Sequence, residues 1–192
     1  RPAFGAGLIF LRTYYDAFTP GPPSQVIAVD PATQSVEWSK IVPGTGVSTP
    51  LFMDLGTSQT LVVETDRNTS GGLLMLDALT GDEIWDHATI STPWDVGTTK
   101  FFGDPIQDSE GNIAAASYSF GGTGNFVVVD PQTGEAIHNI ATIASDAPPV
   151  NSNGFYYLVG GTFGDADLVA LDQSDPVSST QNFQVDLLGG GQ

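Results

Sequence analysis

Short apolar runs separated by turn-forming residues make up most of this chain. Alternation of apolar and polar positions, bounded by glycine, proline, aspartate and asparagine, is typical of β-strands. The pattern predicts strands at 7–15, 24–30, 35–42, 48–54, 59–66, 71–77, 83–89, 98–103, 112–120, 125–130, 135–142, 147–150, 154–162, 167–172 and 179–187. The fold is therefore predicted to be all-β, with a three-stranded start followed by three groups of four strands.

Four of these predicted strands are copies of one another, and each ends in aspartate. They read VIAVD at 26–30, LLMLD at 73–77, FVVVD at 126–130 and LVALD at 168–172. Successive aspartates are 47, 53 and 42 residues apart. This period matches the roughly 40 to 50 residues of a four-stranded propeller blade. The spacing predicts a single β-propeller domain or fragment over 1–192, with blades at approximately 1–46, 47–92, 93–145 and 146–192.

The residues after each aspartate repeat as well, with threonine at +3, glycine at +4 and an aromatic residue at +8. Aspartate and threonine close tight turns through hydrogen bonds between side chain and backbone, and glycine supplies positive φ. A large ring at +8 packs between adjacent blades, so we interpret the motif as structural. Its members are Asp30, Thr33 and Trp38 in the first copy, Asp77, Thr80, Gly81 and Trp85 in the second, and Asp130, Thr133, Gly134 and His138 in the third. The fourth copy has Thr180 at +8.

The repeat resembles that of the PQQ-like family of β-propellers, whose motif reads Ala-x-Asp-x-x-Thr-Gly-x-x-x-Trp. Departures from the motif are Gln34 for glycine, Met75 and Val128 for alanine, and His138 for tryptophan. The resemblance implies an extracytoplasmic location, since many such proteins are periplasmic, secreted or lumenal. A generic β-sandwich is the alternative fold, but it does not explain a shared period.

The number of blades predicts an arc rather than a complete ring. Four is the lower limit of the four to eight blades that propellers use. The glycine-rich tail at 187–192 is a poor strand former, so we do not expect it to complete the three-stranded first blade. A four-bladed ring is the alternative. The chain begins at Arg1 without an initiator methionine, and we expect a mature form or a fragment.

Composition excludes several classes of partner. The chain has 22 Asp and Glu residues against 5 Lys and Arg, for a net charge of −17. Nucleic acids and anionic membranes require a basic stripe that five scattered cations do not supply. No run of about 18 apolar residues is present, so direct membrane insertion is not expected. The remaining partners are proteins, in particular those with a basic face, and cations.

Catalytic motifs are missing from the sequence. Quinoprotein alcohol dehydrogenases share this repeat, and the resemblance implies a quinone beside calcium, a disulfide of adjacent cysteines and an aspartate base. The chain has no cysteine, and no residue matches that active site. The sequence also lacks nucleophile-elbow, phosphate-loop, dinucleotide and zinc-protease motifs. We therefore predict no catalytic or cofactor-binding residue and interpret both histidines, His87 and His138, as structural.

Calcium is the metal that an acidic chain of this kind would favour, because it binds several carboxylate and carbonyl oxygens. No cofactor is required by the sequence, and calcium is the candidate if one is bound. Two loops supply acidic residues, although neither has the spacing of a known calcium loop. The candidates are Asp104, Asp108 and Glu110 in the first loop, and Asp165 and Asp167 in the second.

Exposed aromatic residues are the candidates for a protein interface. Trp94 lies between two predicted blades, where propellers place recognition loops, and tryptophan is frequent among binding hot spots. Tyr14 and Tyr15 precede a proline-rich loop at 18–23, which forms a second candidate surface. The sequence predicts a non-catalytic scaffold for protein–protein interaction, within a larger assembly. The alternatives are a fragment of a quinoprotein oxidoreductase and a calcium- or carbohydrate-binding adhesive module.

Overall fold

Among the residues that the computed structural model describes, seventeen β-strands form four antiparallel sheets. The structure describes residues 1–13, 24–42, 48–67, 70–91, 100–101, 103–118, 123–143, 145, 147–161, 167–177 and 183–186, and no helix occurs among them. The strands are β1 (Ala3–Gly5), β2 (Leu8–Arg12), β3 (Gln25–Asp30), β4 (Ser35–Ile41), β5 (Leu51–Asp54), β6 (Gln59–Arg67), β7 (Ser70–Asp77), β8 (Glu83–Asp86), β9 (Lys100–Phe101), β10 (Ile106–Gln107), β11 (Ile113–Tyr118), β12 (Thr123–Val129), β13 (Ala136–Ile143), β14 (Val150–Ser152), β15 (Phe155–Gly160), β16 (Asp167–Asp172) and β17 (Phe183–Asp186).

Each sheet is a meander of consecutive strands, which is the arrangement of a propeller blade. Blade 1 contains β1–β4, blade 2 β5–β8, blade 3 β9–β13 and blade 4 β14–β17. The four sheets do not close on one another. The predicted all-β arc of about four four-stranded blades is thus confirmed.

Blade 1 has four strands, so the prediction of a three-stranded start is wrong. The additional strand is β1, in which Phe4 pairs with Ile9 of β2. The two strands are joined by Ala6 and Gly7, whose φ angles of 53° and 76° are those of a type I′ hairpin. Alanine rarely adopts positive φ, and β1 is three residues long, so the usual sequence signal of a hairpin is missing.

The first strand of blade 3 is broken in two, where one strand at 98–103 was predicted. Its parts, β9 and β10, both pair with β11. Pro105 lies between them and has no N–H to donate to the sheet. The register against β11 also shifts by two residues between β9 and β10, so the ladder is interrupted there.

The core lies between successive blades. Side chains alternate along a strand, so each blade has a front face toward the preceding blade and a rear face toward the next. In blade 2, Leu61 and Val63 pack on blade 1, whereas Val62 packs on blade 3. A third cluster joins blades 3 and 4. Among the described residues, no such cluster joins blade 4 to blade 1.

Candidate functional site

The aspartate of each repeat motif holds the turn that follows it. In blade 2, Asp77 Oδ1 accepts hydrogen bonds from the N–H groups of Leu79 (2.8 Å) and Thr80 (2.9 Å). Gly81 then donates its N–H to the Asp77 carbonyl, at a φ of 75°. In the equivalent turn of blade 1, the N–H of Ala32 donates to Asp30 and lowers the pKa of that carboxyl group. These aspartates stabilise turns.

The motif tryptophans dock on the turn of the next blade. Trp38 donates its indole N–H to the carbonyl of Ala78 (3.0 Å), and Trp85 donates to the carbonyl of Pro131 (2.9 Å). A Cβ atom added to Gly81 would lie 2.7 Å from the ring of Trp38, and one added to Gly134 would lie 2.8 Å from the ring of Trp85. Glycine at +4 therefore gives the ring of the preceding blade the space it occupies.

His138 and Gln34 mark positions where this pairing of tryptophan with glycine is absent. His138 is half-buried on β13, and the +4 position of the following turn is Pro176. In blade 1 the +4 residue is Gln34, which keeps a left-handed φ of 60° and is exposed. Among the described turns, glycine occurs at +4 only where a tryptophan packs on it.

A buried ion pair joins blades 1 and 2. The side chains of Arg12 at the end of β2 and of Glu64 on β6 are each 1% exposed, and Arg12 Nη1 lies 3.5 Å from Glu64 Oε2. The same guanidinium donates to the hydroxyl groups of Ser24 (3.3 Å) and Ser48 (3.0 Å). Because both charges are buried, each of the two residues depends on the other for its stability. A buried charge without a partner of opposite charge is costly.

A polar network joins blades 3 and 4. The hydroxyl of Tyr156 on β15 donates to Asp108 Oδ2 (2.6 Å), while Asp108 Oδ1 accepts the N–H groups of Glu110 and Asn112 (2.8 Å each). Tyr156 is 1% exposed. Burial, followed by the hydrogen bond to Asp108, raises the pKa of Tyr156 far above its usual value. The hydrogen bond from Tyr156 to Asp108 ties the two blades together.

Replacing Tyr156 by phenylalanine should lower the free energy of unfolding by about 1.5 to 3 kcal/mol, the contribution of a hydrogen bond to a charged group. Because folding raises the pKa of Tyr156, this contribution is present below about pH 10 and is lost as the pH rises above the unfolded-state value. Urea titrations between pH 7 and about pH 11 measure both effects. Tyr157→Phe, on the opposite face of β15, is the control and should change stability by less than about 0.5 kcal/mol. A difference between wild type and Tyr156→Phe that is independent of pH would contradict the assignment.

The first calcium candidate is engaged in contacts within the protein. Asp104 accepts the N–H of Thr49 (2.6 Å) and contacts Arg1 (3.4 Å), and Asp108 accepts the bonds of the network above. Within the described ranges, no group of three or more His, Asp or Glu side chains could hold a metal ion. Asp104 and Asp108 therefore have contacts within the protein, and calcium binding by this loop stays a prediction. Of the second candidate, Asp167 begins β16 and Asp165 lies outside the described residues.

The aromatic interface candidates lie outside the described residues: Trp94, Tyr14 and Tyr15. They stay predictions. His87 is buried, and a Cβ atom added to Gly72 would lie 2.7 Å from its Nδ1, so its ring packs against β7.

The two ends of the blades differ in charge. We call the end with the first-to-second and third-to-fourth strand connections the turn end, and the opposite end the loop end. None of the chain's five Lys and Arg residues lies in the turns of the turn end, although Lys40 approaches Glu83 to 4.0 Å beside one of them. An open pocket of about 390 Å³ lies there between Asp54 and Asp77. The acidic residues of these turns include Asp30, Asp54, Asp77, Asp82, Asp130, Asp172 and Asp175.

Sequence reasoning missed the residues of both buried networks. Arg12 and Glu64 each follow an apolar run within a strand, which is a weak signal that a charge is buried. The partner of each comes from another blade, and only the packing of the blades reveals it.

The docked turns and the meander of each sheet define a PQQ-like β-propeller. The model of the family described as outer membrane protein assembly factor BamB matches residues 2–179, and the chain belongs to that family. No curated protein sequence matches significantly. No helix in the described part is long and apolar enough to cross a membrane.

Solved propellers are similar to the chain in fold. The europium-containing methanol dehydrogenase is 12% identical with a TM-score of 0.67, over 92% of this chain and 40% of that one. The Dos1 propeller is 14% identical with a TM-score of 0.66, over 97% and 46%. The quinohemoprotein alcohol dehydrogenase from Comamonas testosteroni is 15% identical with a TM-score of 0.69, over 96% and 34%. The chain thus spans less than half the length of each of these structures.

Proposed function

We propose that this chain is part of an extracytoplasmic β-propeller scaffold that binds a protein with a basic face. The observation that carries the proposal is the acidic turn end, where carboxylates stand on successive blades and the turns hold no Lys or Arg. A basic partner would gain complementary charge along the arc and would associate faster. A Lys or Arg side chain of the partner fits the pocket between Asp54 and Asp77.

The family supports this function. Its description as an outer membrane protein assembly factor names a role in assembling other proteins at a membrane outside the cytoplasm. Several side chains that could carry chemistry have structural contacts instead: Asp77 in a turn, Asp108 with Tyr156, and Arg12 with Glu64.

The proposal is tested with two variants that remove equal charge from opposite ends. Asp54→Asn with Asp82→Asn alters the turn end, where both residues are exposed, and Asp66→Asn with Asp186→Asn alters strand ends at the loop end. The immobilised chain is used to capture proteins from an extracytoplasmic extract of the source cells. Affinity for a captured and purified protein is then measured at two salt concentrations.

We expect the turn-end variant to weaken binding by about three- to tenfold, since each exposed charge contributes up to about 1 kcal/mol. The loop-end variant should bind as wild type does. A higher salt concentration should weaken the binding of both the loop-end variant and the wild type. Equal loss of affinity in both variants would show that the partner does not bind at the turn end. Failure to retain any specific protein would reject the scaffold function.

A second function is favoured by the structural neighbours. Two of the similar structures are a methanol dehydrogenase and a quinohemoprotein alcohol dehydrogenase, so the chain could belong to a quinoprotein oxidoreductase whose site involves further sequence. Adding quinone and calcium and measuring dye-linked alcohol oxidation tests this alternative. A quinone absorbance band that stays with the protein would support it.

A further inference from the structure

β13 is an edge strand without a charged side chain. It forms the outer edge of blade 3 and, among the described strands, pairs only with β12. The outer strands of the other blades, β4, β8 and β17, each contain acidic or basic residues, whereas β13 has none in its eight residues. Its register against β12 is unbroken from His138 to Ile143. Edge strands are usually protected by charge, proline or short length, because their outward backbone groups can pair with a further strand.

The outward backbone groups of β13 are identified by the neighbouring strands. Ala141 stands opposite Asn125 of β12, and the N–H of Asn125 donates to the hydroxyl of Ser117 on β11 (2.7 Å). Because the Asn125 N–H is directed toward β11, the pair exchanges no hydrogen bonds, and the N–H and C=O of Ala141 point away from β12. Ala141 is exposed. The outer edge of blade 3 therefore offers a donor and an acceptor to a further strand.

Blade 3 lies inside the arc, and its outer edge does not depend on how many blades the whole protein has. One core cluster joins it to blade 2 and another joins it to blade 4. Further blades would extend the arc at blade 1 or blade 4, whereas the outer strand of each blade lies on the circumference. Additional blades would leave the edge of β13 accessible.

The charge around β13 favours a basic occupant. All five Lys and Arg residues of the chain lie at or before Lys100, and eleven Asp and Glu residues follow it. Glu135, immediately before β13, is exposed. Pairing of β13 with the same strand of a second copy would bring two acidic regions together, which like-charge repulsion disfavours. A basic segment would instead gain complementary charge.

We propose that β13 is a strand-addition site, at which an extended basic segment of another protein pairs with the outer edge of blade 3. In this mode of recognition, backbone hydrogen bonds supply affinity and alternate side chains supply specificity. The segment would carry Lys or Arg at alternate positions, with β-branched residues between them. The site is on a different blade from the pocket between Asp54 and Asp77, and it does not rest on the function proposed above.

The test is the binding of a fluorescent peptide of about ten residues that alternates lysine with valine or threonine, measured by anisotropy at about 0.15 M salt. The wild type should bind the peptide. Ala141→Pro removes an outward N–H at an edge position, where a strand tolerates proline. We expect it to weaken binding about three- to tenfold, the equivalent of one hydrogen bond.

Ile41→Pro is the matched control. Ile41 stands opposite Gln25, whose N–H donates to Thr13 Oγ1 (2.8 Å), so Ile41 occupies the position of Ala141 on the outer strand of blade 1. That strand carries Glu37 and Lys40. Ile41→Pro should therefore bind the peptide as wild type does.

A second probe leaves the protein unchanged. The same peptide methylated on all its backbone nitrogens keeps its charge but cannot donate to the edge of β13, and it should not bind. Equal binding of the two peptides to the wild type would show attraction by charge alone and would overturn the proposal. So would a failure to bind the unmethylated peptide, or equal affinity of wild type and Ala141→Pro. A wild-type dimer that Ala141→Pro abolishes would assign the edge to a second copy instead. None of these outcomes affects the turn-end proposal, which is tested with substitutions of Asp54 and Asp82.

Discussion

Replacing Arg12 by methionine is expected to lower the free energy of unfolding by about 3 to 5 kcal/mol, the cost of breaking a buried ion pair from one side. The side chains of Arg12 and Glu64 are both 1% exposed, and their charged atoms lie 3.5 Å apart. Methionine fills much of the same volume but leaves the carboxylate without its guanidinium. The substitution also removes the hydrogen bond to Ser48, which precedes the first strand of blade 2. Urea denaturation followed by tryptophan fluorescence measures the loss.

The double variant Arg12→Met with Glu64→Leu separates the charge effect from packing. When both charges are replaced by apolar side chains, the desolvation cost of each is removed, and such replacements are often neutral or stabilising. We expect the double variant to recover most of the stability lost by Arg12→Met. If it were as unstable as the single variant, the loss of the Arg12 charge beside Glu64 would not be the cause, and the hydrogen bonds of Arg12 to Ser24 and Ser48 would account for the effect.

The repeat made the blade architecture predictable from sequence. Each strand that ends at Asp30, Asp77, Asp130 or Asp172 is identified by an apolar run, and its turn by residues with known backbone preferences. Two strands without such a signal were misjudged. β1 precedes an Ala-Gly turn that sequence patterns do not favour, and the first strand of blade 3 is interrupted at Pro105.

Contacts between blades were predictable only where the motif encodes them. The position of Trp85 on its strand indicates that it docks, but the atom it donates to belongs to Pro131, 46 residues later. The pairs Arg12–Glu64 and Asp108–Tyr156 have no shared motif, and their partners are 52 and 48 residues apart. Long-range pairs of this kind depend on how two sheets are set against each other, which a single sequence does not specify.

Docking of tryptophan on glycine gives the second large expected effect on stability. Gly134→Ala should lower the free energy of unfolding by about 2 to 5 kcal/mol, the sum of about 1 to 2 for a left-handed backbone and about 1 to 3 for overpacking. Gly134 has a φ of 75°, and an added Cβ would lie 2.8 Å from the ring of Trp85. Gly154→Ala is the matched control, because Gly154 has a φ of 78° and an added Cβ would meet no atom within 4 Å. It should show the backbone cost alone.

Trp85→Leu supplies the background in which the steric part should disappear. In that variant, Gly134→Ala should cost no more than Gly154→Ala does, since the ring that the Cβ would meet is gone. A cost that stays at its wild-type value would show that glycine is required by the turn itself. The expected coupling would instead mean that the docking residue of one blade dictates the +4 residue of the next.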